Sequence, residues 1–218
     1  SKKFNKNEIY YYNGLSFFKL ELFIQSLQYF EKINNNSPLK SQALYWTAIT
    51  YEKMKAWDSA IQQYEELLNE GIYKAEYYYR LGFCHEMINE TNKAKYYYTT
   101  AIQTNTMYSE SYLKRAYLNF NSGLYNNAIE DYSTVIDIDS INTPLAIKGI
   151  ICCNLMTMNL DEVNKYLLTL IEKKPDDSFI IATQNFLLSN QKEDFDSKTY
   201  FQVLDSTITI LPLFSHSN

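Results

Sequence analysis

The chain has little with which to turn, cross-link or coordinate. Its 218 residues include 5 glycines, 4 prolines, 3 cysteines and 2 histidines. So few breakers leave no material for the many turns of an all-β design, and they suit helices. Five scattered glycines cannot build a phosphate-cradling loop. The cysteines, Cys84, Cys152 and Cys153, are odd in number and two are adjacent. That is not a secreted disulfide framework, and it points to a reducing, cytoplasmic compartment. Ser1-Lys2-Lys3-Phe4-Asn5 has no apolar signal core behind it and reads as a cut start, before which a targeting peptide could have been removed. No stretch approaches the roughly 20 apolar residues that span a bilayer.

The same scarcity limits chemistry. One of the two histidines, His216, stands in the C-terminal tail, which disfavours a His-based nucleophile dyad. Cys152-Cys153 has no nearby histidine, and Cys84-His85 point about 100° apart on a helix, so neither makes a zinc site. Asp137-Ile138-Asp139 and Asp194-Phe195-Asp196 open like calcium loops, but neither continues with the required glycine. The net charge is -5 and no basic stripe is present, which argues against binding a nucleic-acid backbone. No catalytic residue, cofactor or metal is expected. His85 and the three cysteines read as packing residues.

What the chain does have is a folded, aromatic composition. Hydrophobic residues make up 46% and charged residues 21%, too apolar for disorder. Aromatic residues reach 16%, with 21 tyrosines that must wedge between helices or line an open surface. A strict beat runs through them. Gly14, Ala48, Gly82 and Ala116 follow one another at 34 residues; so do Ser26, Ala60, Ala94 and Ala128, and so do Phe30, Tyr64, Tyr98 and Tyr132. Such a period means stacked units rather than one core folded once.

Each unit reads as two helices joined by a tight turn. In 41–74, Leu44, Ala48 and Tyr51 recur at helical spacing, and so do Ala60, Tyr64 and Leu67. Lys55-Ala56-Trp57 breaks the runs, Asp58 and Ser59 favour a helix start, and Gly71 stands where a C-cap is expected. The units 7–40, 75–108 and 109–142 repeat this. The small residues mark close helix crossings, and the rings fill the wedge opposite.

The order Trp or Tyr, Leu-Gly, Tyr, Ala, Phe or Tyr, Ala, closing on Pro, resembles the tetratricopeptide repeat. Leu81-Gly82 with Ala94, Tyr98 and Ala101 matches best, and Pro38 and Pro175 fall where that family ends its second helix. Asn13, Thr47 and Arg115 depart from it, standing where the family prefers Leu. The resemblance covers about 7–177 and implies an all-α fold, a right-handed superhelix of stacked antiparallel helix pairs. A fifth unit, 144–177, fits after a one-residue slip with Pro144 at its start. Ile151 and Val163 replace small residues there, so looser packing is expected. Residues 178–190 read as a capping helix or the start of a sixth unit. Residues 191–218 read as a linker and a C-terminal tail or extra helix, with Thr199–Ser206 favouring the helix.

In arrays of this family the first helix of each unit lines a concave groove. Helical spacing from the buried positions then assigns to it Tyr11 and Tyr12, then Tyr45, Trp46 and Ile49, then Tyr79, Arg80 and Phe83, then Lys114 and Tyr117. Leu113, Lys148 and Cys152 share that assignment. Tyr, Trp and Arg carry binding energy at interfaces. The expected partner is a protein or peptide segment of apolar or aromatic character, with Arg80 and Lys114 pairing an acidic group on it. The slots in which this family clamps a chaperone's terminal carboxylate hold Tyr11, Leu15, Trp46, Glu76 and Arg80, so that clamp is absent. The sequence reads as a non-enzymatic interaction scaffold. The alternatives are a structural subunit of a larger assembly, with self-association through the tail, or an accessory helical domain cut from a larger protein.

Overall fold

The computed structural model describes residues 5–172 and 177–190. Pro175 and the whole of 191–218 therefore lie outside the described residues. Among those described there are eleven α-helices and no strand. They are α1 (Lys6–Lys19), α2 (Phe23–Glu31), α3 (Lys40–Lys53), α4 (Trp57–Asn69), α5 (Ala75–Met87), α6 (Thr91–Thr104), α7 (Ser109–Asn121), α8 (Tyr125–Ile138), α9 (Thr143–Met156), α10 (Leu160–Ile171) and α11 (Ser178–Asn190). The chain divides into two compact units, Ser1–Thr106 and Met107–Asn218. The first holds the pairs α1–α2, α3–α4 and α5–α6. The second holds α7–α8, α9–α10 and α11.

The small-residue slot does what its spacing predicts. A Cβ placed on Gly14 would meet the Phe30 ring at 2.5 Å, and one on Gly82 would meet the Tyr98 ring at 2.7 Å. Ala48, Ala60, Ala94, Ala116 and Ala128 are fully buried, and so are Tyr64, Tyr98 and Tyr132. A ring on the second helix thus lies across the narrow waist of the first, at interior density. In the first pair Ser26 replaces alanine and donates its hydroxyl to the Gly14 carbonyl at 2.9 Å.

The turn inside each pair carries a second 34-residue series that hydrophobic spacing does not reveal. Glu21, Lys55, Asn89 and Gly123 all have left-handed backbones, with φ of 58°, 57°, 62° and 73°; Met158, one residue later by the slip, has 56°. Each closes its helix in a Schellman motif. Lys55 N–H donates to the Glu52 carbonyl and Ala56 N–H to the Tyr51 carbonyl, and the same two bonds recur at the other four turns. Ala56 is also the N-cap of α4, so one residue closes a helix and opens the next. It makes no side-chain cap, and α4 starts at Trp57, one residue before the Asp58 expected to open it. Gly71, with φ 79°, ends α4 as expected.

The fifth pair corrects one expectation. Ile151 and Val163 were expected to loosen it, yet α9 is buried on nearly every side, from Thr143 through Leu155. The close approach has moved by one helix. Gly149 faces Tyr132 of α8, where an added Cβ would come within 2.5 Å of the ring. Thus α9 beds into α8 at least as deeply as onto its own partner α10. The single core of the second unit runs from Leu113 through Phe186.

Candidate functional site

The face assigned from spacing is built in the first unit by α1, α3 and α5. Tyr11, Tyr45 and Tyr79 stand 34 residues apart, and each leans on the ring that fills the waist of its own pair. Tyr11 lies 6.1 Å from Phe30, Tyr45 lies 6.5 Å from Tyr64, and Tyr79 lies 5.7 Å from Tyr98. All three tyrosines are half-buried. Trp46 ties the first two pairs together. Its ring meets Phe18 at 5.2 Å and Tyr45 at 5.8 Å, both edge to face. Such aromatic pairs contribute about 0.5–1.5 kcal/mol beyond area burial. Tyr12 stands edge-on to Tyr11 at 5.6 Å and is 54% exposed.

Between α3, α4 and α5 runs a polar network. The Tyr45 hydroxyl donates to Glu76. Arg80 reaches Glu76 at 3.3 Å and Glu52 at 2.9 Å, and the Tyr64 hydroxyl donates to Glu52 at 2.5 Å. Burial pushes the Tyr45 hydroxyl up to about 12, with Glu76 adding to the shift. Burial likewise raises the Glu52 carboxyl, against the pull of Arg80. Burial works against the charge on Arg80, but Tyr64, Glu52, Tyr45 and Glu76 outweigh it and raise its pKa. These groups satisfy one another, which fixes α5 against α3 and α4.

Several assigned residues are placed differently from the expectation. Arg80 was expected to pair an acidic group on a partner, but its guanidinium is held by Glu52 and Glu76. Ile49 is 7% exposed and belongs to the core. Phe83 turns toward α4, with its ring edge-on to Trp57 at 5.7 Å. In the second unit Leu113 and Cys152 are buried, and Lys148 is bound to Asp177 at 2.7 Å with its ammonium over the Phe179 ring. The common reason is that each first helix packs against its partner and against the adjoining pair. The exposed stripe is then narrower than a helical wheel of one isolated helix suggests. Lys114 and Tyr117 are half-buried on α7.

Spacing gave no sign of Glu52, Glu76 or Trp57. A usable signal was present for Glu52. It recurs as Glu86, 34 residues on, and Glu86 accepts from Tyr98 at 2.5 Å just as Glu52 accepts from Tyr64. His85 is buried and stacked on Tyr97 at 5.2 Å, with Nδ1 against Glu90 at 2.6 Å. Cys84, Cys152 and Cys153 are buried thiols, each raised by desolvation. Among the described residues no group of three or more His, Cys, Asp or Glu is placed to hold a metal ion, and no helix is long and apolar enough to cross a membrane.

Comparison with known proteins agrees with this geometry. Residues 42–70 match the family model of the tetratricopeptide repeat. Among solved structures, the crystal structure of MamA protein superposes with a TM-score of 0.70 at 25% identity, over 78% of this chain and 92% of that one. A tetratricopeptide repeat protein from Parabacteroides merdae gives 0.73 at 16% identity, over 94% of this chain and 79% of that one. YrrB, described as a TPR protein with an unusual peptide-binding site, gives 0.66 at 16% identity, over 81% and 90%. Comparison with curated proteins finds no match. A stack of such helix pairs is, in general, a protein-interaction scaffold.

Proposed function

From the premise that this chain is built of tetratricopeptide repeats, we propose that its first unit binds a segment of another protein across the aromatic face of α1, α3 and α5. The observation that carries the reading is the periodic ring series Tyr11, Tyr45 and Tyr79, bridged by Trp46 and backed by the rings of the second helices. Rigid, half-buried aromatic side chains present area at low entropic cost, which is what interface anchors do. Because Arg80 is satisfied internally by two carboxylates, the face offers ring surfaces more than charge. Its partner is then an apolar or aromatic segment, and binding involves no covalent chemistry.

The test is a variant carrying Tyr45→Ala, Trp46→Ala and Tyr79→Ala together, compared with wild type in recovery of bound cellular proteins. A loss of at least about tenfold, corresponding to about 1.4 kcal/mol or more, is expected if the rings are anchors. Tyr45 also belongs to the polar network, so Tyr12→Ala is run beside the triple variant, with circular dichroism and melting of both. Undiminished recovery by a folded triple variant removes the assignment.

A further inference from the structure

Two clefts occupy equivalent places in different pairs. In the first unit a cleft of about 400 Å³ lies in the wedge between α2 and α3. Leu27, Phe30 and Glu31 line one side, Thr47 and Tyr51 the next, and α4 closes it with Gln63 and Glu66. In the second unit a cleft of about 580 Å³ lies between α10 and α11. Its lining repeats the first at one fixed interval of four 34-residue steps plus the one-residue slip. Leu27 becomes Asn164, Phe30 becomes Leu167, Glu31 becomes Leu168, Thr47 becomes Gln184 and Tyr51 becomes Leu188. No third wall exists among the described residues, and Leu168 and Leu188 are 64% and 62% exposed.

The same interval applied to α4 lands on residues 194–206. Tyr64 becomes Phe201 and Leu67 becomes Leu204, while the small-residue slot of Ser26 and Ala60 becomes Ser197. The wall positions change in step with the cleft they would face. Gln63 and Glu66, which look onto Glu31 and Lys40, become Tyr200 and Val203, which would look onto Leu168 and Leu188. A polar cleft has a polar wall, and an apolar cleft has an apolar wall waiting in the sequence.

We propose that residues 197–206, which lie outside the described residues, occupy the α10–α11 cleft as the second helix of a sixth pair. Phe201 and Leu204 take the inward slots, and Tyr200 and Val203 cover Leu168 and Leu188. Three neighbouring apolar side chains would otherwise stand in water at this end, which stacked repeats avoid by closing their last pair. The cleft then belongs to the chain itself, separate from the partner face on α1, α3 and α5.

The experiment uses the full chain with Leu168→Cys and Val203→Cys together, oxidised and read by non-reducing electrophoresis and light scattering, with each single variant as control. The native thiols Cys84, Cys152 and Cys153 are buried and form a low background. The expected result is a disulfide within one molecule, at a yield independent of protein concentration. Hydrogen exchange on the wild-type chain should also show the amides of 199–206 protected by at least about a hundredfold. Dimers linked between copies would assign the cleft to a second copy. Free exchange of 199–206 without a cross-link would leave the cleft to another protein. Either result overturns the proposal.

Discussion

Many residues that depart from the repeat do so together with the residue they touch. Tyr64 and Tyr98 each donate to a glutamate twelve residues earlier, Glu52 and Glu86. In the first pair both partners are apolar, Phe18 and Phe30. In the fourth pair only one has changed: Phe120 fills the glutamate slot, and the fully buried Tyr132 hydroxyl has no hydrogen-bond partner. Opposite signs follow for one substitution. Tyr98→Phe should destabilise by about 1–2 kcal/mol, because it breaks a bond to a carboxylate, whereas Tyr132→Phe should be neutral or stabilise by up to about 1 kcal/mol. Urea melts of the two variants check this. Arg115, a departure from the family's Leu, has its own companion: it forks onto Asp131 at 2.6 and 3.0 Å, with Asn119 assisting. Leu81 and Tyr97 hold those two slots one unit earlier. The left-handed turn positions yield another pair of signs. Met158→Gly should stabilise by about 1 kcal/mol, and Gly123→Ala should destabilise by a similar amount, since a Cβ in that backbone region costs about 1–2 kcal/mol. Midpoint shifts at unchanged slope in denaturant would confirm a local effect.

At the scale of the helix, what could be read from the sequence depended on whether a contact repeats. The pairs, their small-and-large waists and the Gly71 cap were legible because four units share one phase. The fifth pair was misjudged, because Gly149 sits one residue before the slot that spacing tracks and serves a different neighbour, Tyr132. The aromatic face was legible as a stripe of tyrosines. Its interior was not, because whether Ile49 or Phe83 reaches solvent depends on the adjoining pair and not on its own helix. The polar network escaped for the same reason: Glu52 and Arg80 meet across 28 residues. The start of α11 gives a pH-dependent prediction. Burial raises the Asp177 carboxyl, but Lys148 and the Phe179 N–H outweigh it and hold it below its ordinary 3.8. A depressed carboxylate stabilises the fold above its ordinary pKa, and that contribution is lost as pH falls through the lower folded value. Acid titration of helicity should show wild type losing structure below about pH 4. Asp177→Asn, already lacking the pair, should be less stable at pH 7 and flatter over that acid range.

At the scale of the whole molecule the two units differ in charge. Most of the acidic excess behind the net charge of -5 lies in 107–218, so the first unit is close to neutral. A partner of its aromatic face is therefore not drawn in by long-range attraction. Affinity should change less than about threefold between 50 and 300 mM salt, because apolar contacts are not screened. A steep fall with salt would assign recognition to charge instead. The most direct measurement is nuclear magnetic resonance of the full chain titrated with a peptide selected from a random library for binding to it. The expected result is that shifts concentrate on Tyr11, Tyr45, Trp46 and Tyr79 and that the triple alanine variant loses them. Shifts confined to α2, α4 and α6, with affinity unchanged in that variant, would contradict the assignment of the binding face.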